Sequence, residues 1–234
     1  MFTVAVLAGG LGTRLRALTG DVVPKVMAPV LDRPFIDHKL TGLAGEGVEH
    51  VVLLVGHQGE RVKEWVGSGE RYGLDVTYVD DGPALRGTGG ALVHALDVLS
   101  DAFWVTYGDT LLEVPVRAAE ECFTASGLPA LMTVLHNRDR YEPSNVRVDR
   151  GRVVDYGTNP RPDGADYIDY GMLAFRRDAF SAWSQSDAFG LGELLRALSL
   201  ERAIAAFEVT ERFHDIGTVE ALHETEEFLR GRVG

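Results

Sequence analysis

A glycine-rich loop near the start of the chain carries the residues best suited to chemistry. The loop reads Leu7-Ala8-Gly9-Gly10-Leu11-Gly12-Thr13-Arg14-Leu15 and follows an apolar segment that is typical of a buried strand. Its glycines let backbone N–H groups approach a ligand closely, and successive N–H groups form a nest for an anion, most often a phosphate. Arg14 supplies a permanent positive charge, and Lys25 supplies a second. The spacing therefore predicts a phosphate-binding loop.

The loop differs from two familiar phosphate-binding loops. A P-loop has a lysine directly after its last glycine, whereas Thr13 and Arg14 follow Gly12 here. A dinucleotide fingerprint has a third glycine where this chain has Leu15. An ordinary glycine turn is disfavoured because two cations accompany the glycines.

Two acidic residues lie at segment ends where they could hold a metal ion. Asp109 follows a predicted strand in Tyr107-Gly108-Asp109-Thr110, and Asp215 precedes the last predicted helix in His214-Asp215-Ile216-Gly217-Thr218. Mg²⁺ prefers one or two carboxylates together with substrate phosphates. A capping or turn role also fits each aspartate, with Thr218 as a helix N-cap.

A second glycine-rich segment, Gly87-Thr88-Gly89-Gly90, opens a predicted helix and follows Asp81. A base or ribose could lie against the bare backbone, and the helix start would offer free N–H groups. Asp81 could accept hydrogen bonds from guanine, although an acidic residue before a glycine turn is also common turn chemistry.

The elements that must position these residues alternate between strand and helix. Strands are predicted at 2–7, 51–55, 74–79, 103–106, 128–135, 145–148, 152–155 and 167–175, and helices at 60–66, 88–99, 115–123, 191–200 and 218–229. The alternation predicts an α/β fold with a mostly parallel mixed sheet and helices on both faces. Ligands bind beyond the carboxyl ends of strands in such sheets, and both the glycine loop and Asp109 fall there.

Composition limits the partners. The chain has 234 residues, a net charge of −12 and no apolar run long enough for a membrane helix, so we expect neither nucleic acid nor membrane as a partner. The single cysteine, Cys122, and the absence of a visible secretory signal indicate a cytoplasmic protein. The sequence leaves a homo-oligomer open.

These motifs resemble those of a known family. LAGGLGTRL and PKVMAPV are similar to the signature of the sugar-phosphate nucleotidyltransferases, the nucleotide-sugar pyrophosphorylases. The segments at 87–90 and 215–218 resemble those of mannose- and heptose-1-phosphate guanylyltransferases. The resemblance implies a Rossmann-like nucleotidyltransferase fold with a small inserted sugar-binding lobe. It divides one domain, 1–234, into a nucleotide-binding half at about 1–136, a sugar-phosphate-binding part at about 137–217 and a C-terminal helix at 218–234.

The resemblance also implies roles for individual residues. The catalytic residues would be Arg14, Lys25, Asp109 and Asp215, the two aspartates holding one Mg²⁺. The nucleotide would contact Leu7, Ala8, Gly9, Gly10, Gly12, Thr13, Asp81, Gly87, Thr88 and Gly89. The sugar phosphate would contact Asn145, Arg161, Tyr170 and Gly171. Arg86 stands where the family usually has leucine.

One difference from the family concerns the binding of the sugar phosphate, the acceptor in the reaction. Relatives often carry a lysine after the hairpin that grips the sugar phosphate, whereas residues 156–160 here contain none. Arg161 would substitute for it, or would point to solvent from a loop.

The reaction implied by the resemblance joins an NTP, with GTP favoured, to a sugar 1-phosphate and releases pyrophosphate. Adenylyl, uridylyl or cytidylyl transfer by the same fold stays open, and the sugar is not specified. A different class of function, a non-catalytic regulatory subunit that binds nucleotide sugars, is motivated by the missing lysine.

Overall fold

The computed structural model describes residues 2–10, 23–82, 86–186 and 188–232. The predicted site residues Gly12, Thr13 and Arg14 lie outside the described residues. The strands are β1 Thr3–Leu7, β2 Pro29–Val30, β3 Arg33–Pro34, β4 His50–Val55, β5 Asp75–Asp80, β6 Ala102–Tyr107, β7 Thr110–Leu111, β8 Ala130–His136, β9 Val146–Asp149, β10 Arg152–Tyr156, β11 Tyr167–Arg176, β12 Ile204–Val209 and β13 His214–Asp215. The helices are α1 Phe35–Gly45, α2 Gly59–Val66, α3 Gly87–Ala95, α4 Val116–Ser126, α5 Leu191–Leu200 and α6 Val219–Arg230.

A mixed sheet forms the centre of the described fold. Its strand order is β5-β4-β1-β6-β11-β8-β12-β10-β9. The four strands β5, β4, β1 and β6 pair in parallel, and β12 is parallel to β8, while β11 is antiparallel to β6 and β8. The predicted α/β fold with a mixed sheet is therefore confirmed. Because the parallel strands come from the first half of the chain, their carboxyl ends gather the loops from that half at one edge.

Helices cover both faces of the sheet, which explains why β1 and β4 read as continuous apolar runs. Along β1, Val4 and Val6 pack on one face with residues of α1, α2 and α4. Ala5 lies on the other face and packs with residues of α3 and α5. All three side chains are fully buried.

Helix α1, strand β12 and the two-residue strands β2, β3, β7 and β13 have no counterpart among the predicted elements. Helix α1 buries His38 and Lys39 together with its apolar residues, so polar letters interrupt the apolar pattern that identifies a helix face. Strand β12 lies between β8 and β10 and joins the predicted hairpin β9-β10 to the rest of the sheet. None of the described helices is long and apolar enough to span a bilayer.

Helix α6 anchors the short strand β13 beside the end of β6. Thr218 caps the helix by accepting a hydrogen bond from Ala221 N at 3.1 Å, as its predicted N-cap role requires. Thr225 is fully buried and donates from Oγ1 to the carbonyl oxygen of Asp215 at 2.6 Å. The helix therefore holds the backbone of Asp215 in place.

This anchor generates a stability prediction. Thr225→Val preserves the shape of the side chain but leaves the Asp215 carbonyl without its donor, so we expect a loss of about 1–3 kcal/mol in unfolding free energy. Urea denaturation measures the loss. The exposed Thr124→Val on α4 is the matched control, and equal stability of the two variants would contradict the anchoring role.

Candidate active site

A cavity of about 360 Å³ lies beyond the carboxyl ends of the four parallel strands. Nine predicted site residues line it: Leu7, Ala8, Gly9, Gly10, Lys25, Asp81, Gly87, Thr88 and Asp109. Its wall also contains residues that the sequence did not single out as ligands, namely Val26, Leu54, Arg86, Ala91 and Tyr107. The structure therefore brings the described part of the glycine loop, the second glycine-rich segment and one metal candidate to a single cavity.

The two described glycines of the loop have different surroundings. A Cβ at Gly9 would lie 2.6 Å from Oδ2 of Asp81, so any larger residue there would displace the Asp81 carboxyl group. A Cβ at Gly10 would meet no protein atom within 4 Å. Gly9 therefore allows β1 to approach Asp81, whereas Gly10 leaves open space in the cavity wall.

Lys25 and Asp109 form an ion pair within the cavity. Lys25 begins a short 3₁₀ turn, Lys25–Met27, whose buried Val26 packs against Gly108. The side chains of Lys25 and Asp109 keep 17% and 31% exposure, so both remain accessible to a ligand. The predicted cation and the predicted metal ligand are therefore in direct contact.

Asp215 lies close to this pair because β13 is antiparallel to β7, with Asp215 opposite Thr110. The N–H of Ile216 donates to the carbonyl oxygen of Asp109 at 3.1 Å. A Cβ placed on Gly217 would lie 2.8 Å from Asp215 Oδ1 and 3.6 Å from Lys25 Nζ, which locates the lysine ammonium beside the second carboxyl group. The described residues contain no group of three or more His, Cys, Asp and Glu side chains arranged for a metal, so this site offers two carboxylates.

Asp81 begins the loop after β5, where its N–H donates to the Val55 carbonyl at 2.9 Å. Its buried Oδ1 has no hydrogen-bond partner within the described part of the chain. Burial raises the pKa of the carboxyl group, while the charges of Arg86 and His94 act in the opposite direction. The carboxyl group therefore retains capacity to accept hydrogen bonds from a ligand.

The second glycine-rich segment is used partly for packing. The N–H groups of Gly89 and Gly90 donate to the carbonyl of Phe189 at 3.0 and 3.3 Å, so these two are not free at the helix start, contrary to the expectation from the sequence. Gly89 lies against the Phe189 ring, where a Cβ would overlap it, and does not line the cavity. Thr88 Oγ1 accepts from Leu191 N at 2.8 Å. Gly87 and Thr88 remain at the wall.

The four predicted sugar-phosphate residues do not line this cavity. Asn145 Oδ1 accepts from Asp169 N at 2.9 Å, and Gly171 has a φ of +95° that favours glycine. Tyr170 is 1% exposed, and its hydroxyl accepts from Glu113 N at 3.2 Å, so its side chain belongs to the core.

Arg161 lies at the surface, where it pairs with another loop residue. Its Nη1 is 3.3 Å from Oδ1 of Asp139, and both side chains are about half exposed or more, at 47% and 62%. Of the two expectations for Arg161, the position at the surface matches the second. The structure therefore gives no support for Arg161 as the replacement of the missing lysine.

Two ionisable residues near the site, the half-buried Asp169 and the buried Lys39, were not predicted. Asp169 accepts hydrogen bonds from Gly171 N at 2.9 Å and from the Tyr156 hydroxyl, and burial raises its pKa to about 6. Lys39 donates to Thr106 Oγ1 and to the Thr110 carbonyl, each at 2.8 Å, and burial lowers its pKa to about 7. The sequence signal for each was a charged residue within an otherwise apolar segment.

The raised pKa of Asp169 generates a prediction about pH. Because the native state binds this proton more tightly than the unfolded chain, the ionised group lowers stability progressively as the pH rises from about 4 to about 6. Asp169→Asn should therefore be more stable than the parent at pH 7.5 by about 1–3 kcal/mol and by less at pH 5. Urea denaturation at both values measures the gain.

Asp139 provides the control, because its hydrogen bonds to Ser144 lower the pKa of its carboxyl group. Asp139→Asn should change stability in the opposite direction. A gain in Asp169→Asn that is the same at both pH values would contradict the proposed cause.

Comparison with known proteins identifies the fold and the family. The chain is 28% identical to D-glycero-alpha-D-manno-heptose 1-phosphate guanylyltransferase of Campylobacter jejuni over 92% of this chain and 94% of that protein. It is 27% identical to N-acetylmuramate alpha-1-phosphate uridylyltransferase of Neisseria meningitidis over 94% and 95%. The crystal structure of HddC from Yersinia pseudotuberculosis complexed with GMP-PN has the same fold, with a TM-score of 0.79 at 23% identity over 98% of this chain and 100% of that chain. The profile of the nucleotidyl transferase family matches residues 3–232, and this chain therefore belongs to that family, among the sugar-phosphate nucleotidyltransferases.

Proposed function

We propose that this protein transfers a guanylyl group from GTP to a sugar 1-phosphate. The observation that carries the proposal is one cavity that combines Lys25 and Asp109 with Asp81. The first two suit phosphate chemistry, and the third suits the edge of a base. Membership of the family supports the class of reaction, and the base and the sugar are the finer parts of the proposal.

In this reaction an oxygen of the sugar phosphate attacks the α-phosphorus of the donor in line. The new O–Pα bond forms as the bond from Pα to the bridging oxygen of the β-phosphate breaks, and pyrophosphate leaves with that electron pair. The attacking oxygen is already anionic, so no general base is required. The protein contributes alignment and charge neutralisation, which are the main catalytic terms in phosphoryl transfer.

Lys25 is the described cation best placed for this role. Its ammonium lies beside the carboxyl groups of Asp109 and Asp215 and is accessible from the cavity. We assign it to the α-phosphate and the incoming phosphate. Arg14 keeps its predicted role toward the leaving pyrophosphate as part of the same proposal.

Asp109 and Asp215 would hold Mg²⁺. Two carboxylates beside a phosphate site suit this ion, which takes one or two carboxylates together with substrate oxygens. When bound, Mg²⁺ would neutralise charge on the reacting phosphates. The chain's net charge of −12 makes such local positive charge necessary for an anionic substrate.

The choice of guanine depends on the surroundings of Asp81. A carboxylate with spare acceptor capacity matches the adjacent N1–H and N2–H donors of guanine. Family membership does not decide the base, since relatives of similar identity are a guanylyltransferase and a uridylyltransferase.

The acceptor is proposed to lie on the Tyr107 side of the cavity. Asp169 is near Tyr107, since its charge contributes to the raised pKa of that tyrosine, and Asn145 holds the backbone of Asp169. With Arg161 engaged at the surface, Lys25 and the metal would supply the charge for the sugar phosphate. The lack of a lysine at residues 156–160 is also what favours the alternative, a subunit that binds nucleotide sugars without turnover.

A pyrophosphate-release assay tests the proposal. The four NTPs should be compared at equal concentration, each with a panel of sugar 1-phosphates that includes mannose and heptose phosphates. We expect turnover with GTP and at least one acceptor. Preference for a pyrimidine nucleotide would refute the guanylyl assignment, and binding of nucleotide sugars without turnover would favour the regulatory alternative.

The two aspartates give a prediction about the metal. Asp109→Ala and Asp215→Ala should each reduce turnover at saturating Mg²⁺ by at least about a hundredfold, because each removes a ligand at the site of charge neutralisation. Direct titration with Mn²⁺ monitored by electron paramagnetic resonance should show weaker binding in both. Asp75→Ala, an exposed aspartate at the other end of β5, is the control. Unchanged Mn²⁺ affinity in either variant would remove that residue from the metal site.

A further inference from the structure

Arg86 is a cation in the cavity wall that the proposed mechanism does not use. Its half-buried side chain is held by one hydrogen bond, from Nε to the backbone carbonyl of Asp81 at 3.0 Å. Among the described residues, its terminal nitrogens have no hydrogen bond and no ion pair. An arginine presents five N–H donors in a fixed fork, so most of this donor capacity is available to a ligand.

Among the described residues, Arg86 lacks acceptors for its terminal nitrogens, whereas the neighbouring Asp81 lacks hydrogen-bond donors. Its buried Oδ1 has no donor within the described part of the chain, and its carboxyl group feels the charge of Arg86 without forming an ion pair with it. The cavity wall therefore presents a hydrogen-bond donor and a hydrogen-bond acceptor side by side, each incompletely satisfied. Buried groups of this kind are costly unless a ligand pairs with them.

This pair lies at the same carboxyl ends of the parallel strands as the phosphate chemistry, but on the other side of the four-strand row. Asp81 and Arg86 follow β5, whereas Asp109 and its partner Lys25 lie at the end of β6. In the order β5-β4-β1-β6 the backbones of these strands are three spacings apart, which corresponds to about 14 Å, and the Asp81 carboxyl group extends part of this way, to Gly9 after β1. A nucleoside triphosphate whose phosphates lie near Lys25 would therefore extend its base toward Arg86.

The bases differ in the order of hydrogen-bond donors and acceptors along their edges, and Asp81 with Arg86 can distinguish these patterns. Guanine presents the acceptor O6 beside the donors N1–H and N2–H. Adenine presents one amino donor beside an acceptor nitrogen, cytosine presents one amino donor beside two acceptors, and uracil presents a single N–H between two carbonyls. A carboxylate next to a guanidinium complements the edge of guanine best.

We propose that Arg86 determines donor specificity by donating to guanine O6, while Asp81 accepts from N1–H and N2–H. The inference rests on the proposed guanylyl transfer and adds a residue that stands where the family usually has leucine. It gives Arg86 a role in reading the base rather than in binding the phosphates.

The test uses triphosphates that differ by single groups on the purine. Isothermal titration calorimetry with Mg²⁺ compares GTP, ITP, which keeps O6 but lacks the 2-amino group, and 2-aminoadenosine triphosphate, which lacks O6. Arg86→Leu should weaken GTP and ITP by about ten- to a hundredfold, as expected for a charge-assisted hydrogen bond, and leave the third ligand unchanged. Asp81→Asn should reduce the advantage of GTP over ITP.

Arg117→Leu, an exposed arginine on α4, is the matched control and should bind all three as the parent does. An equal loss for all three triphosphates in Arg86→Leu would assign Arg86 to the phosphates or ribose, and no loss would remove it from the site; either result overturns the inference. The unmutated chain is measured separately. If it binds another base more tightly than guanine, the guanylyl proposal fails along with the inference, whereas a guanine preference that survives Arg86→Leu refutes the inference alone.

Discussion

The short pairing of β7 with β13 holds the candidate active site together. It brings Asp215 alongside Asp109 through a ladder in which Asp215 lies opposite Thr110. Its support includes the hydrogen bond from Ile216 to the Asp109 carbonyl, the anchor from Thr225 and the stacking of His214 on Phe228 of α6. Lys25 then contacts Asp109 from the first half of the chain. Three segments distant in sequence therefore depend on one two-residue ladder for their common geometry.

The charged residue buried behind this ladder shows how the fold supports it. Lys39 connects α1 to the end of β6 through Thr106 and to the start of β7 through Thr110. A lysine is seldom fully buried without a carboxylate partner, because desolvation of its charge is costly. The lowered pKa of Lys39 expresses that cost, and the two oxygen acceptors offset part of it. The two hydrogen bonds of Lys39 thus connect α1 to the chain on either side of Asp109.

How far the sequence predicts this molecule depends on the range of the contacts involved. The glycine loop and the strands follow from local patterns, and the α/β fold and family that they indicated are confirmed. Helix α1 was missed because Lys39 interrupts its apolar face, and the partners of that lysine are 67 and 71 residues away. Arg161 was assigned by its closeness in sequence to the missing lysine, but its partner Asp139 comes from another loop. Interactions of this range depend on the tertiary fold and leave no periodic signal.

The contact between Phe189 and the start of α3 links two parts of the chain that local patterns separate. The Phe189 carbonyl accepts from Gly89 and Gly90, its own N–H donates to the Arg86 carbonyl at 3.0 Å, and Leu191 donates to Thr88. This side of the proposed nucleotide cavity is therefore built from two segments about a hundred residues apart. Transplanting residues 86–90 alone from a relative would leave them without their matching partners at Phe189 and Leu191. Under the proposed assignment of the base, recombination that exchanges donor preference requires the two segments to be inherited together.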